Sequence, residues 1–250
     1  MINSSGVMAV LDHHITINWD DGPTLLRIAG QVCYHISDSP VIQTLRVTAS
    51  RRSSEEPLCF YSANADLHVT WTVQENGAGW TLQLSVTNEN EAEDVDGTQI
   101  YLDALEVIRI DSGSGGVFSL GALAGLWQCN GEHLMLGAAV DASGERDEPN
   151  QLGWQLQDMP TANGFIRQRE FIVQPSASNR TRPPALLFCA LQAKSLSTEL
   201  VLELNGEKFE RFVARHNLDG TLIGAGVTIA SPEFWVVAGD DVEELKWLVM

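Results

Sequence analysis

Apolar residues recur at every second position along much of this chain. Leu67, Val69, Trp71 and Val73 form one row, and Trp80, Leu82, Leu84 and Val86 form another. The intervening positions carry His68, Thr70 and Thr72, then Thr81, Gln83, Ser85 and Thr87. A period of two places alternate side chains on opposite faces of a strand. Two such rows joined by Glu75-Asn76-Gly77-Ala78-Gly79 predict a hairpin, with Trp71 and Trp80 in the core.

The same reading extends in both directions. Ile15, Ile17 and Trp19 share a face before the Asp20-Asp21-Gly22-Pro23 turn. Leu26, Ile28, Val32, Tyr34 and Ile36 predict a long strand with Gly30 at a bulge. Further strands are expected at Val41 to Ala49, Ile100 to Ile110, His133 to Val140 and Phe165 to Val173. Glu199 to Leu204 and Glu207 to Ala214 flank Asn205-Gly206, a type I′ turn signal. Asn217-Leu218-Asp219-Gly220 predicts another turn, Thr221 to Ile229 a β-like run, and Glu233 to Val237 a short strand.

One helix is expected, over 240–250. Asp240 suits its N-cap, Glu243 completes a capping box, and Val242, Leu245 and Val249 share a face. No stop signal follows, which predicts that the helix leads into a further segment. The fold class is therefore all-β, a large antiparallel two-sheet sandwich with a short C-terminal helix. A single domain over 1–250 is expected, with Asp111 to Gly116 as an internal boundary between sheet systems.

Charge narrows the partners. Against 33 Asp and Glu stand 15 Lys and Arg, a net −18. That excludes nucleic acid and anionic membrane surfaces, which require clustered Lys and Arg. The N-terminus lacks a basic region and a long enough apolar run for a signal peptide, and no stretch approaches the ~20 apolar residues of a membrane helix. Cys33, Cys59, Cys129 and Cys189 form no CxxC pair and read as buried thiols of a reducing, cytoplasmic compartment.

Motifs for chemistry are sparse. His13 and His14 are adjacent and face opposite ways, His68 alternates within a strand, and His133 and Glu132 point apart, so no His/Glu acid–base pair is expected. Asp94-Val95-Asp96-Gly97 has Gln99 where a calcium loop needs Gly, so no metal is expected. Gly113 to Gly116 lacks the spacing of a phosphate loop, and no GxSxG elbow exists, so neither cofactor nor serine nucleophile is expected. Trp127 and Trp154 remain. They lie in the glycine-rich and polar region 121–164, in Leu126-Trp127-Gln128 and Gly153-Trp154-Gln155. Such tryptophans suit contact with a carbohydrate or with another domain.

Phe209, Phe212, Ala214, Asp219-Gly220, Gly226, Ser231-Pro232, Phe234-Trp235-Val236, Gly239 and Leu245 together resemble the closing segment of the N-terminal β-supersandwich of the α-galactosidase and raffinose-synthase-like glycoside hydrolases. Ala185 to Ala190 is similar to that family's preceding strand, with Phe188-Cys189 where the family has Gly-Phe. The resemblance implies a galactose mutarotase-like supersandwich that packs on a catalytic (β/α)₈ barrel of the same polypeptide. It further implies a role in shaping the sugar site, in galactoside contact and in homo-oligomerisation. The family's Lys-Trp-Asp nucleophile signature is unmatched: Lys246-Trp247 is followed by Leu248, and Asn18-Trp19-Asp20 lacks the Lys. The chain alone is accordingly expected to be non-catalytic, its parent a retaining glycosidase. The alternatives are an independent carbohydrate-binding module and a mutarotase or epimerase-like sugar enzyme.

Overall fold

The structure is a computed structural model describing residues 8–11, 14–18, 24–37, 39–47, 58–64, 66–76, 79–90, 99–111, 125–129, 132–136, 164–168, 170–175, 185–191, 197–205, 208–239, 244–245 and 248. These residues build seventeen strands, all paired antiparallel. In chain order they are β1 (Met8–Leu11), β2 (His14–Asn18), β3 (Thr24–Ile36), β4 (Ser39–Arg46), β5 (Leu58–Ala63), β6 (Leu67–Asn76), β7 (Gly79–Asn88), β8 (Ile100–Asp111) and β9 (Gly125–Cys129). There follow β10 (Glu132–Leu136), β11 (Gly164–Gln168), β12 (Glu170–Pro175), β13 (Ala185–Ala190), β14 (Thr198–Asn205), β15 (Lys208–Leu222), β16 (Thr228–Ala230) and β17 (Phe234–Gly239). Of the expected helix Glu244, Leu245 and Leu248 are described; the first two are helical, and Leu248 N donates to Leu245 O at 3.2 Å.

One sheet runs β1-β2-β3-β8-β15-β14-β11, with β4 added along β3. The other runs β10-β9-β12-β13-β17-β7-β6-β5, with β16 added along β7. Each draws strands from both sides of the Asp111 to Gly116 segment. The result is an all-β, sandwich-like fold.

The core forms because each sheet turns one apolar row inward. Ile28, Val32, Leu102, Leu105, Leu200, Phe212 and Ala214 come from the first sheet. Phe60, Val69, Trp71, Trp80, Leu82, Leu84, Phe188 and Phe234 come from the second. Phe188 and Phe212 meet across the sandwich with ring centroids 4.8 Å apart, inside the range where tilted aromatic pairs attract. Gly30 leaves room for the Trp71 ring: a Cβ there would lie 3.0 Å from Trp71 Cδ2. Its strand is regular at that point, and the bulge lies on β8 opposite it.

The β6–β7 hairpin is in the expected register. Trp71 pairs with Leu84, Val73 with Leu82, and Asn76 with Gly79. Trp71 and Trp80 are both buried. The second hairpin turns one residue later than expected. Asn205 pairs with Lys208, which leaves 206 and 207 as the link.

The expectation of a turn at Asn217 to Gly220 is corrected. β15 continues through it, because β8 pairs with the strand on both sides, at Asn217↔Ala104 and Thr221↔Leu102. Asp219 (φ 48°) and Gly220 (φ 75°) take left-handed backbone angles there. Asp and Gly tolerate those angles, and here they absorb an irregularity within a strand rather than reverse the chain.

Candidate functional site: the polar outer face of the first sheet

The face of the first sheet turned away from the core is unlike the apolar one. β3 places Gln31, Cys33 and His35 there by simple alternation. β15 contributes Arg211, Val213, Arg215 and Asn217, and β14 contributes Glu199, Val201 and Glu203. On β8 regular alternation would put Glu106 and Arg109 on opposite faces, because they are three residues apart. A register shift intervenes. Ala29 pairs with Arg109 but Gln31 with Glu106, so two β8 residues, Val107 and Ile108, oppose Gly30 alone. This bulge brings Glu106 and Arg109 to the same face.

The two side chains then join a line of charge-assisted hydrogen bonds. Gln31 Nε2 donates to Glu106 Oε2 at 2.6 Å, and Arg109 Nη1 donates to the same oxygen at 2.9 Å. Arg109 Nε donates to Asp111 Oδ2 at 2.9 Å, while Arg211 Nε donates to Asp111 Oδ1 at 2.9 Å. Arg211 Nη1 reaches Glu203 Oε2 at 3.1 Å. Beside this chain, Arg215 donates twice to Glu199 Oε1, at 2.9 and 2.7 Å, and Asn217 Nδ2 donates to it at 2.7 Å. Glu106 and Arg109 are the most deeply set, with side chains only 8% and 10% exposed.

Burial raises the Asp111 carboxyl, but hydrogen bonds and charge from Arg109 and Arg211 outweigh it and hold the group below the usual carboxylate range. The Arg109 guanidinium is held up in the same way, burial opposing and Asp111 and Glu106 prevailing. The Cys33 thiol is pushed up to about 12, first by burial and then by the Glu106 charge.

A second register shift lies toward the start of β8. Cys33 pairs with Ala104 and Tyr34 with Leu102, so Asp103 is the extra residue. On the other side of β8, the 218–220 irregularity of β15 falls at the same level. His35, on β3, meets this place. Its Nδ1 lies 3.0 and 3.1 Å from the two oxygens of Asp103, and its ring stacks on Tyr101 at 5.2 Å and 9°. Tyr101 Oη donates to Gln99 Oε1 at 2.7 Å. His35 and Asp103 are 68 positions apart, and no sequence spacing joins them.

The residues singled out from sequence fall elsewhere. Trp127 lies on β9, paired with Leu134 of β10 and Val173 of β12. Trp154 lies outside the described residues, as do His13, most of the 88–97 acidic loop and the 112–116 glycine segment. His14 and His133 begin or lie within strands β2 and β10. His68 stacks on Tyr61 at 5.6 Å. His216 meets the hydroxyls of Ser197 and Thr198 at 3.3 and 3.2 Å, and burial lowers its pKa. Cys189 is buried, and Cys33 and Cys59 are half-buried; none of the three is in a disulfide. Among the described residues no cluster of three His, Cys, Asp or Glu is placed to hold a metal, and no helix is long and apolar enough to cross a membrane.

No known family and no curated protein sequence matches the chain. Solved structures resemble it at low identity. The galactosidase domain of an alpha-galactosidase-sucrose kinase is 12% identical, over 83% of this chain and 27% of that one, with a TM-score of 0.47. A polysaccharide lyase is 9% identical, over 95% of this chain and 32% of that one, with a TM-score of 0.44. A galactose mutarotase-like protein from Clostridium acetobutylicum is 6% identical, over 94% of this chain and 95% of that one, with a TM-score of 0.40. The chain thus spans about a quarter to a third of the first two structures. At these scores the likeness carries no argument about chemistry.

Proposed function

We propose that this chain is the non-catalytic sandwich domain of an α-galactosidase-like glycoside hydrolase, packing on a catalytic barrel of the same polypeptide and shaping its sugar site. The observation that carries the reading is the role of the closing segment whose residues bear the family resemblance. Phe212, Ala214, Phe234 and Val236 are fully buried in the core. Asp219, Gly220 and Gly226 hold the left-handed angles of the segment. Ser231 Oγ accepts from Leu84 N at 3.1 Å and donates to Pro232 O at 2.8 Å, tying the segment to β7. Leu245 is buried against Val237, and Gly239 leaves room for it. The described residues of the segment thus close both sheets, from β15 to β17 and Leu245, which supports the reading.

The polar face of the first sheet fits a scaffold role. Glu106, Asp111, Glu199 and Glu203 are committed to arginine partners, and Asp103 to His35. The test has two parts. The reading frame beyond codon 250 is expected to encode a (β/α)₈ barrel, and the isolated chain is expected to leave a chromogenic α-galactoside intact. A stop codon at that point overturns the reading. So does turnover that is abolished by replacing one Asp or Glu of this chain.

A further inference from the structure

Three strand irregularities or chemical groups converge at the His35 end of the polar face, and the proposed scaffold role uses none of them. β8 carries an extra residue at Asp103, and β15 carries its left-handed pair, Asp219-Gly220, at the same level. On β3, across β8 from β15, His35 is clamped by Asp103 and stacked on Tyr101. Bulges and left-handed residues outside turns cluster where a side chain must be aimed. What they aim here is an imidazole. An ionised carboxylate can only accept hydrogen bonds, and both oxygens of Asp103 face Nδ1, so the ring proton of neutral His35 sits on Nδ1. Nε2 is then a lone-pair acceptor. Among the described residues no hydrogen bond engages it, and the side chain is 27% exposed. Gly220 stands at the ring's other accessible edge, where an added Cβ would come 3.5 Å from Cε1. Leu222, which pairs with Tyr101, is half exposed at the rim.

We propose that His35, oriented by Asp103 and Tyr101, is a binding site for a small uncharged polyhydroxy ligand, one of whose hydroxyls donates to Nε2. The surroundings select that chemistry. An anion is disfavoured by Asp103 beside the ring and by the −18 net charge. A metal cation is disfavoured because, among the described residues, no cluster of three His, Cys, Asp or Glu converges to hold one. A neutral hydroxyl donor matches the one open group. Carbon surface beside that hydroxyl can lie along Leu222. The accessory-domain reading does not require this site, so each can fail alone.

The experiment is an NMR titration of the ¹⁵N-labelled chain with galactose, glucose, myo-inositol and glycerol. Long-range ¹⁵N–¹H spectra should first show His35 protonated on Nδ1. The His35 ring signals should then shift saturably with at least one polyol, with a Kd on the order of 1–10 mM, while those of His68 stay put. His35→Phe keeps the stack on Tyr101 and should abolish saturation at Tyr101 and Gln99. Asp103→Asn can donate to Nδ1, so it should move the ring proton to Nε2 and weaken binding at least ~10-fold, about 1.4 kcal/mol. Circular dichroism and melts confirm that the variants fold, and the wild-type titration decides the question if they do not. The proposal is overturned if no polyol shifts His35, if His68 shifts in parallel, if the wild-type ring is protonated on Nε2, or if His35→Phe binds as the wild type does.

Discussion

Glu106 and Arg109 show how far one residue's cost depends on its neighbour. Each would be expensive to bury alone, since removing a charge from water costs several kcal/mol after relaxation. Together with Gln31 and Asp111 they are acceptable, because each donor faces an acceptor within 2.9 Å. Glu106→Ala leaves Arg109 half-paired in a nearly dry place, and the expected loss of stability is about 3 kcal/mol by urea denaturation. The double variant Glu106→Leu/Arg109→Met should lose less than the single one, because no unpaired charge remains. Cys33 lies within the same field. A thiol raised from 9.0 to about 12 holds roughly 10³-fold less thiolate at neutral pH. Alkylation of Cys33, followed by mass spectrometry, should therefore be slow in the folded chain and fast in urea. Two groups set the acid side of stability. His216 is lowered by burial, so its contribution is complete above its ordinary value of 6.5 and declines as pH falls below that. Asp111 is also lowered, and its contribution is lost only further down, below 3.8. Thermal melts against pH should show the upper decline flattened in His216→Gln and the lower one in Asp111→Asn.

At the scale of the element, the period-two rows made the β6–β7 hairpin and its two buried tryptophans legible. Both faces of that hairpin are ordinary, one packed and one half wet, so the pattern carries the register directly. β8 was legible only as a strand. Its two register shifts, at Asp103 and at Val107–Ile108, change the phase of the apolar row from Ile100 and Leu102 to Leu105 and Val107 and back to Ile108 and Ile110, but that change names no partner strand. The polar network and the His35–Asp103 pair depend on those shifts and on strands far apart in sequence, so neither could be read from spacing. Asp219-Gly220 misled for the opposite reason. Its residues tolerate left-handed angles, which serve a tight turn and a strand irregularity equally well. The β7–β17 pairing offers a test of packing between elements. A Cβ on Gly79 would stand 2.2 Å from the Val236 carbonyl oxygen and 2.9 Å from Val237 Cα. Both are backbone atoms, so no rotamer relieves the clash. Gly79→Ala should cost about 2–3 kcal/mol, as overpacking does, or a melting temperature lower by roughly 5–10 °C. At Gly226 no atom lies within 4 Å of an added Cβ and only the φ of 69° opposes it. Gly226→Ala should cost about 1–2 kcal/mol.

For the whole molecule the governing fact is interleaving. β8 ends before the 112–116 glycine segment and β15 lies about a hundred residues further on, yet Arg211 Nε bonds Asp111 Oδ1 across a separation of 100 positions. In the other sheet, β7 pairs with both β16 and β17 from the far end of the chain. Core residues from early and late strands belong to one cluster, as Trp71, Trp80, Phe212 and Phe234 do. A boundary near Asp111 to Gly116 would let each side keep its own core and fold alone. We propose instead that the interleaved strands fold together. A fragment of residues 1–116 would present β8 without β15 and β7 without β17, and a fragment of residues 117–250 would present the complementary open edges. Neither fragment is expected to show the near-ultraviolet circular dichroism of packed tryptophans. Equimolar mixing should restore it to a large degree, since the cut falls in a glycine-rich segment outside β8 and β9. Urea unfolding of the intact chain should follow one transition by fluorescence and by far-ultraviolet circular dichroism alike. Two separated transitions, or one fragment that melts cooperatively alone, would show that the sheets fold as independent units despite their shared strands.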